Sequence, residues 1–294
     1  MKKKIDLFDI ANYIILFLLT IITVYPILNT AAISLNEGLD TMRGGITIFP
    51  RKFTLQNYAI IFKNKSILNS FGITVLRTLI GTATSLLATS LLAYGLSKKH
   101  LKWKKFYMGI CVVSMYFSGG LIPSYLLIYN IGLINNFWVY IIPNMISVFN
   151  VIIVMTFFKQ LPEALEESAK LDGAGQFLIL FRIILPISMP MLATIALFNA
   201  VFQWNSWFDG YIYMTNDSLL PLQNILLRII NSNSMSETLS KAGSASAMVN
   251  KFKGVTVKSV NMATMMVSMI PIFMVYPFLQ KYFVKGIMVG SIKG

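Results

Sequence analysis

Little in this chain is equipped for bond-making chemistry. It holds one histidine, His100, and one cysteine, Cys111. A zinc site needs several such ligands together, and His100 lies in a run of lysines, so it reads as a loop residue. Cys111 has no second cysteine to pair with inside the chain. No G-x-x-x-x-G-K-[ST] stretch is present, so no phosphate-cradling loop is expected. The carboxylates gather once, in Leu161-Pro162-Glu163-Ala164-Leu165-Glu166-Glu167-Ser168-Ala169-Lys170-Leu171-Asp172-Gly173-Ala174-Gly175. No nucleophile stands with them, so their chemistry is recognition. Pro162 suits the first turn of a helix, and Glu163 suits the positive end of its dipole. Glu166 and Lys170 are spaced for a surface ion pair, and Asp172-Gly173 stops the helix. On physics alone, a solvated loop explains this stretch as well as a docking helix does.

A second polar set lies inside apolar sequence. Asn199, Gln203 and Ser206 share one helical face, with Trp204 and Asn205 beside them. Asn144, Ser147 and Asn150 fall on one side of an earlier apolar run. Uncharged amides in a span either join helices or line a polar cavity; joining is the commoner use. Arg77 either snorkels to the interface or pairs within the protein, and snorkelling is the commoner outcome.

The elements that must position these groups are membrane spans. Apolar residues make up 56% of the chain, charged residues 12%, and mean hydropathy is +0.68; soluble domains carry about 25% charged residues. The runs at about 11–34, 67–97, 106–129, 137–158, 187–208 and 260–283 each approach the roughly 20 apolar residues that a bilayer span needs. In the second, Gly81, Ser85, Thr89 and Ala93 recur every fourth residue, which lets helix backbones approach closely. The third is interrupted by Ser118-Gly119-Gly120 and Pro123. The net charge of +14 belongs largely to Lys and Arg flanking the spans, and no aromatic–basic pattern for nucleic acid is evident. Lys2, Lys3 and Lys4, the loop Lys98-Lys99-His100-Leu101-Lys102-Trp103-Lys104-Lys105, and Lys281, Lys285 and Lys293 place both termini and the acidic stretch in the cytoplasm. The fold class expected is an all-α integral membrane protein of six spans, with the acidic helix between spans four and five. The two long outer loops, about 36–66 and 209–259, also carry lysines and arginines, but long loops weigh little in the positive-inside rule.

Glu167-Ser168-Ala169, then Gly173, then Ile183, Leu185 and Pro186, resembles the EAA signature of bacterial importer permeases: EAA, three residues, G, nine residues, I-x-L-P. Ser168 replaces the central alanine. Phe117-Ser118-Gly119-Gly120-Leu121-Ile122-Pro123 and the ending Gln280 to Gly286, with Gly290, Lys293 and Gly294, are similar to the carbohydrate-uptake ABC permeases of the MalG-like, LplC-type kind. The resemblance implies that residues 162–186 form a coupling helix and its exit, within a permease domain of 67–294 that follows an N-terminal span and outer loop of 1–66. It implies that Glu166, Glu167, Ser168, Ala169, Asp172 and Gly173 dock on a cytoplasmic ATPase, with the tail from Gly290 to Gly294 nearby. It also raises the cavity reading of Asn144, Ser147, Asn199, Gln203, Trp204 and Asn205, because amides hydrogen-bond sugar hydroxyls and aromatic faces stack on sugar rings.

The implied partners are a second permease forming a heterodimer, an ATPase dimer that binds the ATP, an extracellular or periplasmic solute-binding protein, and an oligosaccharide, acidic if the basic outer loops steer it. No cofactor or metal in the chain and no nucleic acid are implied, and the location is the bacterial cytoplasmic membrane. An ion-coupled secondary transporter is the alternative, but it calls for ionisable groups at mid-membrane, and Arg77 is the only clear charge within a span. A membrane-embedded enzyme would need catalytic groups that the spans lack.

Overall fold

A computed structural model describes residues 7–241 and 255–291, with side chains for 7–231 and 255–277. Lys2, Lys3 and Lys4, the second-loop cations Lys251 and Lys253, and the tail residues Lys293 and Gly294 lie outside the described residues. The chain is helical almost throughout. In order come α1 (Leu7–Ser34), α2 (Gly38–Met42), α3 (Gln56–Lys63), α4 (Lys65–Ser97), α5 (Lys104–Tyr116) and α6 (Leu121–Asn130). A 3-10 turn over Phe137–Tyr140 precedes α7 (Val148–Gln160) and α8 (Glu163–Leu171). Then α9 (Gln176–Ile179), a π turn over Leu180–Ile184 and α10 (Leu185–Ile187) run on as one helical segment before α11 (Met189–Asn205). The remaining helices are α12 (Phe208–Tyr213), α13 (Leu222–Lys241) and α14 (Val257–Ser291).

Among the described residues, three helices are long and apolar enough to cross a membrane, and up to six spans result if each bent pair counts as one. The bends explain where hydropathy and backbone part company. The third apolar run turns by 114° between α5 and α6, at Gly120, whose φ of +84° is open to glycine at no steric cost. The fifth turns by 85° at Ser188, so its spanning helix begins at Met189. The fourth is helical only from Val148; its first half is a 3-10 turn followed by turns around Pro143.

The chain forms two compact units. One is built on residues up to Leu68 with Ile225–Ile270, and the other on Asn69–Asn224 with the chain from Pro271. In the first unit, α1 buries only Ala32, Ile33 and Ser34, leaving a helix whose apolar sides suit lipid. The loop that follows α1 is folded. Asn36 Nδ2 donates to Asp40 Oδ2 at 3.0 Å while its Oδ1 accepts from Lys52 N at 2.8 Å. Asn57, fully buried, donates to the carbonyls of Ser34 and Asn36. These bonds replace the water that a buried polar backbone would otherwise lack.

In the second unit, the expected small-residue row of α4 is its buried face: Gly81, Ser85, Thr89 and Ala93 all lie inside. One apolar cluster joins Ala93, Tyr94 and Leu96 of α4 to Val151, Val154, Met155 and Phe158 of α7, Ala169 of α8, and Ile179, Leu180, Ile184, Leu192 and Ile195 beyond it. This cluster seats the acidic helix.

Candidate functional site

The acidic stretch forms α8, nine residues long. Pro162 is the cap before the helix, with φ −60° and ψ 127°, one position earlier than the first turn that its ring also suits. The helix ends in a Schellman arrangement. Gly173 takes φ +80°, its N–H donates to Lys170 O at 3.0 Å, and Ala174 N donates to Ala169 O at 2.9 Å. A β-carbon at Gly173 would touch nothing, so glycine is needed there for backbone conformation, not for space.

The faces of α8 divide cleanly. Ala169 is buried in the cluster beneath. Glu166 is half-buried and pairs with Lys98, and the more exposed Glu163 pairs with Lys99. Glu166 therefore does not make the local pair with Lys170 that its spacing suggested. Lys98 lies over the Tyr94 ring, 3.6 Å from its centre, and completes a partner set that a helical neighbour cannot supply. Burial pulls the Lys98 ammonium below the usual lysine range, against the opposing pull of Glu166. The hydrogen bond from Lys99, reinforced by its charge, holds the Glu163 carboxyl below the usual glutamate range. Glu167, Ser168, Lys170, Asp172 and Gly173 face outward. So does Leu171, 89% exposed, and beyond the turn so does Phe177. Sequence reasoning passed over Leu171, whose signal is an apolar residue on the face opposite Ala169.

The amide set of α11 lies in a different environment. Arg77 is fully buried and does not snorkel: it meets Asp209, Nη2 to Oδ2 at 2.5 Å and Nη1 to Oδ1 at 3.2 Å. Its Nε and Nη2 also donate to Gln203 Oε1 at 3.2 and 3.0 Å, its Nη1 donates to Ser206 O at 3.2 Å, and its guanidinium stacks over Tyr140 at 4.3 Å. Gln203 Nε2 donates to Tyr140 O at 3.1 Å. Asp209 Oδ1 further accepts from Ser206 Oγ and Gly210 N. Gly81 makes room for Gln203, since a β-carbon there would fall 2.6 Å from Nε2.

Asn199 Oδ1 accepts from Asn150 Nδ2 at 3.2 Å, and its own Nδ2 is buried without a partner. Trp204 is buried edge-on to Phe71, while Asn205 is exposed and donates to Val201 O. Ser147 caps α7 and Asn144 lies in the turns before it, so neither stands on a helical span. The structure thus brings Asn199, Asn150 and Gln203 onto buried faces, and leaves Asn205 apart. A groove of about 350 Å³ between α4 and α11 is lined by Leu86, Leu87, Ser90, Leu185, Met189, Leu192, Ala193 and Ala196; these walls are too apolar to hold sugar hydroxyls.

Residues 85–289, which include α8 and its exit, match the family described as binding-protein-dependent transport system inner membrane component. The chain belongs to that family. This permease is 37% identical over 287 residues to protein LplC of Bacillus subtilis (strain 168), covering 98% of this chain and 95% of that one. It is 38% identical over 295 residues to the polygalacturonan/rhamnogalacturonan transport system permease protein YtcP of the same organism, covering both chains fully. Among solved structures, it is similar to a chain of a bacterial ABC transporter involved in the import of the acidic polysaccharide alginate. There the TM-score is 0.86 and the identity 28%, over 96% of this chain and 99% of that one. The resemblance carried by the EAA spacing is therefore borne out, and the permease is a multi-pass transport component of the cytoplasmic membrane, not an enzyme. Its family places it with a second permease, an ATPase and a solute-binding protein as general partners.

Proposed function

We propose that this permease imports acidic oligosaccharides containing uronic acids. The observation that carries the reading is full-length similarity to a polygalacturonan/rhamnogalacturonan permease, supported by the fold match to a component of an alginate importer. Charge adds a weaker argument. On the first outer loop Arg51 is spent on Asp40 and Lys52 on Glu37, whereas Arg43, Lys63 and Lys65 are exposed with no ion-pair partner among the described residues. Such cations raise the local concentration of an anionic ligand.

In this reading the second permease completes a heterodimeric pore, an ATPase dimer hydrolyses ATP, and an extracellular or periplasmic binding protein delivers the saccharide. Both termini and α8 are cytoplasmic. Glu167, Ser168, Asp172 and Gly173 contact the ATPase directly, with Leu171 as an apolar anchor in its groove. Glu166 and Ala169 act from beneath, by holding α8 in place. Residues 67–294 form the transport core, and 1–66 its N-terminal span and outer loop. Asn199 is the best-supported substrate-path residue, because its buried Nδ2 has a donor to offer. Gln203, Trp204, Asn144, Ser147 and Asn205 are assigned to the path or its walls; Gln203 acts as a wall, since its oxygen is held by Arg77.

The test is calorimetry of the cognate binding protein against oligogalacturonate and a neutral oligosaccharide of equal length, followed by uptake into proteoliposomes holding the assembled transporter. Tight binding and ATP-driven uptake of the acidic ligand alone are expected. Selective handling of the neutral ligand overturns the acidic assignment. Asn199→Leu is expected to impair uptake with assembly intact; normal uptake removes Asn199 from the path.

A further inference from the structure

In the sequence, the basic loop after α4 is an orientation signal. In the structure it folds back on its own helix and grips α8. Lys104 Nζ donates to the carbonyls of Lys98, at 2.9 Å, and Ser97, at 3.4 Å, satisfying the end of α4 where a cation suits the dipole. That holds Lys98 against the Tyr94 ring with its ammonium on Glu166. Tyr94 in turn donates its hydroxyl to Gln176 Oε1 at 3.0 Å and packs edge-on against Phe158 of α7. Lys98 and Tyr94, one turn apart on α4 and its exit, thus reach both ends of the acidic segment: Glu166 within α8 and Gln176 just past its stop.

Lys98 and Glu166 expose only 26% and 22% of their side chains, so this pair is screened less by solvent than a surface pair. Lys99–Glu163, at 72% and 61%, is a surface pair of small worth. Apolar packing through Ala169 and its cluster ties α8 to α7, α9 and the end of α4 alike. The half-buried polar link from α8 to that end of α4 is Lys98–Glu166.

We propose that Lys98 is a positioning residue that couples α8 to α4. When the ATPase displaces α8, the Lys98–Glu166 pair carries the displacement into the end of α4, and so into the helix whose buried face packs at Gly81 against Gln203. The inference rests on α8 being the ATPase-docking element.

The experiment uses the complete transporter, with second permease, ATPase and binding protein, in proteoliposomes. Substrate moved and ATP hydrolysed are read together for wild type, Lys98→Glu, Glu166→Lys and the double exchange. Each reversal is expected to lower the transport-to-hydrolysis ratio about tenfold, a magnitude typical of coupling between sites, with the ATPase still bound. The double exchange is expected to return the ratio to within about threefold of wild type, as a recovered pairwise term should. A merely structural role would lower the amount of assembled transporter and leave the ratio of what remains unchanged. Wild-type ratios in both reversals, or no recovery in the exchange, overturn the proposal. If the reversals fail to assemble, Lys98→Met, which keeps the stem on Tyr94 and removes the charge, decides it: a lowered ratio supports the coupling and an unchanged ratio refutes it. A Gly173→Trp complex run alongside separates the two readings. If that variant couples normally, the docking role of α8 fails; if it uncouples while the Lys98 variants do not, only the α4 link fails.

Discussion

Arg77–Asp209 and Lys98–Glu166 are both ion pairs anchored at α4, yet they do opposite work. Every nitrogen of Arg77 finds an acceptor, the pair is sealed from solvent, and a ring covers the guanidinium. Such a network has one good arrangement, because any displacement leaves a buried charge short of partners. Lys98 and Glu166 hold each other at a partly wet edge, where a shifted geometry still finds water. The first arrangement fixes α4 against α11 and α12. Under the proposed coupling, the second lets α8 move while staying attached. A transporter needs both properties, and the contrast in burial is what assigns them to opposite ends of α4 in that proposal.

Three substitutions test that contrast. The largest effect is expected at Arg77. Arg77→Met strands the Asp209 carboxylate, and breaking one side of a buried pair costs about 3–5 kcal/mol. Thermal unfolding in detergent should fall steeply for Arg77→Met and recover substantially in Arg77→Met with Asp209→Leu. Equal stability of wild type and single variant would mean that the pair is not sealed.

The middle effect is expected at Gly173. Valine there would have to hold φ +80°, at a cost of about 1–3 kcal/mol, and the end of α8 would unravel instead. Permease yield should hardly change, while co-purified ATPase drops; a normal ATPase complement would break the link between the glycine turn and docking.

The smallest effect is expected at Glu163. Its carboxyl is held below the usual range by Lys99, so the stabilisation it contributes is complete above the ordinary glutamate pKa and is lost as pH falls through the lowered value. Glu163→Gln should therefore show a slight deficit in thermal stability at neutral pH. That deficit should close in acid below the carboxylate range. A deficit independent of pH would mean that the side chain acts through packing and not through charge.

What could be read from the sequence was what local chemistry decides. The glycine stop of α8 depends on neighbours within a turn and appears as expected, while Pro162 stands one position before the expected first turn, as the cap. So does the buried row of α4, because small residues at every fourth position mean the same thing in any bundle. The ion pairs could not be read, since Lys98 and Glu166 lie 68 residues apart and Arg77 and Asp209 lie 132 apart. Nothing local distinguishes those partners from Lys170, the nearer cation that Glu166 leaves aside. Hydropathy also concealed the broken first half of the fourth span. An apolar run records the surroundings of its side chains; the turns at Ile141 to Met145 are a property of the backbone.

The central claim, that α8 is where a separate ATPase docks, is tested most directly by a photo-crosslinking residue placed at Leu171, with a second at Tyr211, an exposed position on α12 far along the chain from α8. In the assembled transporter, illumination should join the Leu171 position to the ATPase subunit and leave the Tyr211 position without that product. An assembled, ATP-hydrolysing complex in which Leu171 gives no ATPase adduct would contradict the account.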